Sequence, residues 1–262
     1  MDTSQDVILF FQDIQIRFEK FCDEYNGAGG FEKKTWDSPI GKIDAVISQG
    51  AVFEKASAVY CDLDIDTPPV LAQKLGTGIP RMRGLVLEVN IFPNNPHIPK
   101  GYIELRANIV GGKTILAGGT DIFPYFHDSD ARDMFAAGIC DVCKHHHQDY
   151  RALRKVRADF FKSKYTKEDV GSHAGIYFFY LEAEHFAFFK DMAEAFFKGY
   201  GDLVAQKKNI PVTDQDRQHR LKCHGQWAQW ILLEDEGTKF GLDKGIPPEA
   251  LLGVILPPAA IF

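Results

Sequence analysis

Residues 102–126, YIELRANIVGGKTILAGGTDIFPYF, decide how this chain folds. The opening residues alternate strictly. Tyr102, Glu104, Arg106 and Asn108 share one face of an extended strand, and Ile103, Leu105, Ala107 and Ile109 share the other. Gly111-Gly112-Lys113 supplies a turn, and residues 114–117 form a short apolar run beyond it. Gly118-Gly119 lets the backbone approach a neighbour closely or take a positive φ. Asp121 comes just after the pair, flanked by Phe123, Pro124, Tyr125 and Phe126. A carboxylate beside a glycine pair and an aromatic wall suits the N–H of a flat heterocycle. The same pattern also describes a half-buried antiparallel sheet with an ordinary turn aspartate.

Upstream, Val7, Phe10, Phe11, Ile14, Phe18 and Phe21 fall near helical spacing over residues 6–25, and Asn26-Gly27 stops that helix. Residues 42–53 and 57–63 read as paired strands, residues 70–75 as a single helical turn, and residues 85–92 as a third strand. A rigid turn, PNNPHIP at 93–99, feeds the central strand. Downstream the period shifts toward 3.6. Residues 128–164 predict two helices broken near 144–148, residues 171–181 a strand, and residues 186–207 a long helix with Phe186, Phe189, Met192, Phe196 and Phe197 inward. Residues 227–233 are expected to form the last strand, which puts Trp227 and Trp230 on opposite faces; Pro247-Pro248-Glu249 opens a short helix. This order predicts one α+β domain over residues 1–262, a large antiparallel sheet sandwiched between helices.

The composition is that of an ordinary globular protein, with 262 residues, 45% of them hydrophobic and 25% charged. A formal charge of −6 argues against a nucleic-acid partner, which needs a basic patch. No apolar run is long enough to span a membrane. The first residues lack the basic region and cleavage site of a secretory leader, and the five cysteines are scattered, so a reducing, cytoplasmic setting is expected. Aromatic residues make up 13% of the chain, which fits a thick aromatic core or a pocket for a flat ligand.

Five segments, in order, resemble the oxygen-dependent coproporphyrinogen III oxidase family: FEKA at 53–56, PNNPHIP at 93–99, AGGTDIFPYF at 117–126, GTKFGL at 237–242 and EALLGVILPP at 249–258. The resemblance runs from about Trp36 to the C-terminus. It implies a flat antiparallel sheet between helices and a homodimer. It also implies O2 as co-substrate with no metal or organic cofactor, and the oxidative decarboxylation of porphyrinogen propionates to vinyl groups. Asp121 matches the aspartate that takes pyrrole N–H groups, next to Gly118 and Gly119, and Arg106 matches a propionate clamp.

The departures from that pattern are informative. Tyr102 stands where the family has a histidine, Glu104 where it has an asparagine, and Phe92 where a second histidine belongs. Read as the family's arginine-rich strand, residues 223–231 have lost three arginines, a glutamate and an asparagine. Glu236 and Gly171 replace two further arginines. Carboxylates are held best by bidentate arginine, so a less cationic, more aromatic site points away from coproporphyrinogen. We expect a smaller pyrrole- or indole-type acid instead. Asp121 would orient the ring N–H, with Tyr102 or Glu104 as general acid or base. Arg106 would anchor the acid, and Gly118, Gly119, His173, His224, Trp227 and Trp230 would contribute to binding. Each of these side chains also has a plainer reading, as a packing aromatic, surface ion or solvated histidine. Two rival readings remain, an authentic haem-pathway enzyme with an atypical site and a non-catalytic tetrapyrrole- or aromatic-binding protein. Cys140 and Cys143 with His145, His146 and His147 evoke zinc, but a helical i,i+3 cysteine pair beside exposed histidines explains them without a metal. No phosphate-binding loop or serine nucleophile motif occurs.

Overall fold

A computed structural model describes residues 3–167, 170–171 and 174–262. The central stretch forms β5 (Lys100–Val110) and β6 (Lys113–Phe123), joined at Gly111-Gly112. Around them lie β1 (Phe31–Ser38), β2 (Gly41–Ser48), β3 (Phe53–Asp66), β4 (Arg81–Pro93) and β7 (Ile176–Glu182). The seven strands follow sequence order across one sheet, each antiparallel to the next. Short connections between neighbouring strands are what an antiparallel meander allows.

Strand alternation then sorts the side chains. Leu85, Leu87, Val89 and Ile91 of β4, with Ile103, Leu105 and Ala107 of β5, form an apolar face under α1 (Thr3–Asn26) and α5 (Phe186–Lys207). Phe135 of α3 (Ser129–His145) packs edge-on against Phe196 of α5. The opposite face mixes apolar residues of β2 and β3 with the polar residues of β4, β5 and β6. Over it lie α4 (Tyr150–Phe160), α6 (Asp214–Leu233) and α8 (Pro248–Ile255). The short α2 (Pro69–Leu75) joins β3 to β4, and α7 (Glu236–Asp243) joins α6 to α8. The expected α+β sandwich is therefore the fold.

One element differs from the sequence expectation in kind. Residues 227–233 are the end of α6, not a strand. The helix starts at a capping box in which Thr213 and Asp216 satisfy each other's backbone groups, and His224, Trp227 and Ile231 recur at helical spacing. Trp227 and Trp230 consequently share one buried face, with rings stacked 5.6 Å apart, rather than opposite faces. The comparison of residues 223–231 with an arginine-rich strand loses its footing there. β1 and α7 had no sequence expectation, and β6 continues through the glycine pair to Phe123 instead of ending at Ala117.

The glycine pair serves the sheet itself. Gly118 sits at φ +135°, beside a register shift between Leu116 and Gly118 against β7, and a Cβ there would strike the Glu104 carbonyl oxygen. A Cβ on Gly119 would run into the Ile176 carbonyl oxygen and lie 2.8 Å from Tyr177 Cα. The close approach expected from the sequence is thus made to β5 and β7. Gly119→Ala should cost about 3 kcal/mol, the upper end of overpacking penalties, measured by urea unfolding.

Candidate functional site

The register of β5 and β6 sets Tyr102 opposite Asp121, and that of β4 and β5 sets Glu88 opposite Glu104. Lys100, Tyr102, Glu104, Arg106, Asp121 and Glu88 therefore share the face covered by α4, α6 and α8. The sequence placed the β5 residues and Asp121 together correctly. It gave no role to Glu88, Lys100, Arg157 or Tyr177, which complete the cluster.

Asp121 is wholly buried. Its Oδ1 accepts from the backbone N–H of Ile122 (2.8 Å) and Gly175 (2.9 Å), and its Oδ2 lies 2.5 Å from Arg157 Nε in an ion pair with neither side chain exposed. Arg157 projects from α4 with its Cζ 5.0 Å from the Phe161 ring centre. A Cβ on Gly171, the position where the family resemblance expected an arginine, would run into the Arg157 guanidinium. The cation comes from the helix instead of the loop. A signal was present: Arg157 lies on the same stripe of α4 as Leu153 and Phe160, where an unpaired charge has no place.

A second group surrounds Glu104. Tyr102 donates to Glu104 Oε2 at 3.1 Å, and Tyr177 makes a short hydrogen bond to the same oxygen. Arg106 Nη2 donates to the Tyr177 hydroxyl at 2.5 Å, and its Nε lies 3.3 Å from Glu104 Oε1. Burial above all, and then the Glu104 charge, holds the Tyr102 phenol well above its ordinary range, so it stays a donor. Across the strand gap, Glu88 accepts from Asn90 at 2.6 Å. Burial first, and the facing Glu104 second, push Glu88 up to about 8. Glu88 and Arg106 are only partly buried, and exposed Phe179 lies beside Arg106 with 5.7 Å between its ring centre and Arg106 Cζ. This end of the cluster faces water.

At the other end of β5, Lys100 is 2% exposed, and among the described residues its Nζ has no hydrogen-bond partner. The rings of Trp227, Phe123, Tyr102 and Phe92 stand 3.2, 4.5, 5.1 and 5.4 Å from that nitrogen. Such contacts return about 2 kcal/mol when desolvated, against a penalty of several kcal/mol for burying an ammonium. Burial therefore wins and holds Lys100 well below the usual lysine range. Beside it is a cavity of about 60 Å³, also lined by Tyr125, Cys223, His224, Gln226 and Trp227.

His224 is fixed in the wall of that cavity. Its Nδ1–H donates to the Ala259 carbonyl and its Nε2 accepts from Tyr125, both at 2.9 Å, and burial lowers its pKa to about 4. It contacts no open acid site. Trp227 and Trp230 pack into the aromatic layer with Phe161. His173 lies outside the described residues. Cys143 is buried on α3, and His146 is tied to Asp191 of α5 at 2.7 Å.

Two consequences can be measured. Asp121→Asn leaves Arg157 buried without its counter-charge and should cost about 3–5 kcal/mol in urea unfolding. Glu88, raised from its ordinary 4.5 to about 8, holds its proton more tightly in the folded chain. Its contribution to stability is full below about pH 4.5 and lost as the pH rises through 8. Glu88→Gln should flatten the fall in melting temperature between pH 5 and pH 8 relative to the parent chain.

The sequence model described as coproporphyrinogen III oxidase matches residues 6–262. The chain is 26% identical over 277 residues to an oxygen-dependent coproporphyrinogen-III oxidase of Coxiella burnetii (strain RSA 493 / Nine Mile phase I), covering 98% of this chain and 87% of the relative. A protein of the same description from Rickettsia bellii (strain OSU 85-389) is 29% identical over 262 residues, covering 92% and 90%. One from Drosophila melanogaster is 28% identical over 256 residues, covering 89% of this chain and 65% of the relative. With a match along nearly its whole length, this chain belongs to the coproporphyrinogen III oxidase family.

Proposed function

We propose that the chain is an O2-dependent oxidative decarboxylase acting on a small pyrrole- or indole-type acid rather than on coproporphyrinogen. Membership of the family makes it an oxygen-dependent oxidoreductase with O2 as co-substrate. The choice of substrate rests on one observation above all: the arginines of the covered face are already paired within the chain. Arg106 meets Glu104, Arg157 meets Asp121, and Arg220 meets Glu54 at 2.7 Å. Lys55 donates to the carbonyl oxygens of Gly253 and Leu256 at 2.7 Å. A tetrapyrrole with four carboxylates would meet too few free cations here, and the cavity on this face, about 60 Å³, is far below its size.

On this reading a single small acid binds at the water-facing end. Arg106 anchors the carboxylate and Phe179 stacks on the ring. The opposed Glu88 and Glu104 take the ring N–H and then a proton, with Tyr102 and Tyr177 fixing Glu104. Glu88 suits a general base because its pKa lies near the working pH. Asp121 would reach a ring N–H only by giving up a bond to Arg157 or to the backbone. The same reading carries a homodimer and a cytoplasmic location. The location is supported by the five cysteines, all of them free thiols.

The test is O2 uptake with indole-3-propionate and a simple pyrrole propionate against coproporphyrinogen. We expect uptake with a small acid, and kcat/KM rising with pH through about 8 as Glu88 loses its proton. Glu88→Gln should lower kcat by about 10²–10⁴-fold and remove that limb. Arg106→Ala should raise KM on the order of tenfold. Vinyl product formed readily from coproporphyrinogen would make this the haem-pathway enzyme. Ligand-induced absorbance changes without O2 uptake would make it a binding protein.

A further inference from the structure

Lys100 has no part in the reaction proposed above, yet its surroundings are those of a working amine. It is buried, lacks a hydrogen-bond acceptor among the described residues, and is enclosed by four aromatic rings. An ammonium with no acceptor is poorly stabilised there, and a neutral primary amine in a dry pocket is a nucleophile. Beside it the cavity of about 60 Å³ leaves room for a few heavy atoms. Exposed Gln226 and half-buried Cys223 and Pro124 also line that cavity, so it lies close to the surface. Across it, the Tyr125 hydroxyl donates to His224 Nε2, which puts a proton donor and acceptor in the same wall.

We propose that Lys100 and this cavity form a site that captures a small carbonyl compound, an aldehyde or 2-oxo acid of two or three carbons, as a Schiff base. The amine lone pair attacks the carbonyl carbon to form the N–C bond, and the carbonyl oxygen takes a proton. The oxygen, holding one proton from the amine, takes a second from the Tyr125 hydroxyl and leaves as water, while the remaining amine proton passes to the Tyr125–His224 pair and restores it, leaving the C=N bond: Lys–NH2 + R–CHO → Lys–N=CHR + H2O. No electrons change hands. The site is independent of the oxidase reading, since it needs neither O2 nor the Glu88–Glu104 pair.

Reductive trapping tests it directly. The full-length protein is incubated at pH 6.5 with acetaldehyde or glyoxylate and cyanoborohydride, and each lysine is followed by peptide mass spectrometry. Surface lysines are almost wholly protonated at that pH, so Lys100 should be alkylated at least about tenfold faster than they are. Prior unfolding in urea should erase the difference. Lys100→Met, close in shape and without the unpaired amine, should fold at least as stably and lose fast labelling everywhere except at Lys55, which burial lowers to about 8. Labelling of surface lysines with Lys100 untouched or slower would overturn the proposal. So would fast labelling outside Lys55 that survives in Lys100→Met.

Discussion

The ion pair between Asp121 and Arg157 lies where water reaches neither partner. It joins β6 to α4, and the Asp121 bond to the Gly175 backbone extends the link to the start of β7. Two charges that deep are tolerable only with each other and with further hydrogen bonds. The constraint runs outward from there: α4 must lie over this end of the sheet, Gly171 must lack a side chain, and β7 must close on Gly119. The same rule governs the rest of the covered face. Glu104 is matched by Arg106 and Glu54 by Arg220, so the face is close to electrically complete before any ligand arrives.

How much of this was legible in the sequence depended on how local the signal was. Strict alternation through 102–109 and the Gly-Gly turn fixed β5, its faces and its hairpin, because side-chain direction in a strand is set by position alone. α5 was legible to its boundaries for a similar reason: an apolar stripe ending at Lys207. α6 was not. Apart from Leu221 and Cys223 its apolar residues lie in its second half, and Trp227 to Leu233 taken alone is a short apolar run that strand and helix share. The capping box at Thr213 and Asp216 lay fourteen residues upstream of that run, measured from Thr213 to Trp227, and only the two together decide for a helix. The site divided in the same way. Tyr102, Glu104 and Arg106 could be placed from one strand, but Glu88 enters through a pairing register and Arg157 and Tyr177 through tertiary packing, none of which a single segment encodes.

Reading α6 as a helix changes why the site looks the way it does. As a strand, residues 223–231 would have set a row of lost arginines against the ligand. As a helix, they set Trp227 and Trp230 over the sheet, and the scarcity of free cations arises from internal pairing. What remains acidic and partly exposed is the pair Glu88 and Glu104. Like charges directly opposite in a sheet are unfavourable. Here Asn90, Tyr102, Tyr177 and Arg106 offset the repulsion by bonding to the two carboxylates. Compensation stabilises the pair, yet burial first and the facing Glu104 second still leave Glu88 at about 8. A fold that keeps two acids this close on the partly exposed side of this face gives Glu88 a raised proton affinity, which is the property the proposed base of a substrate oxidation needs.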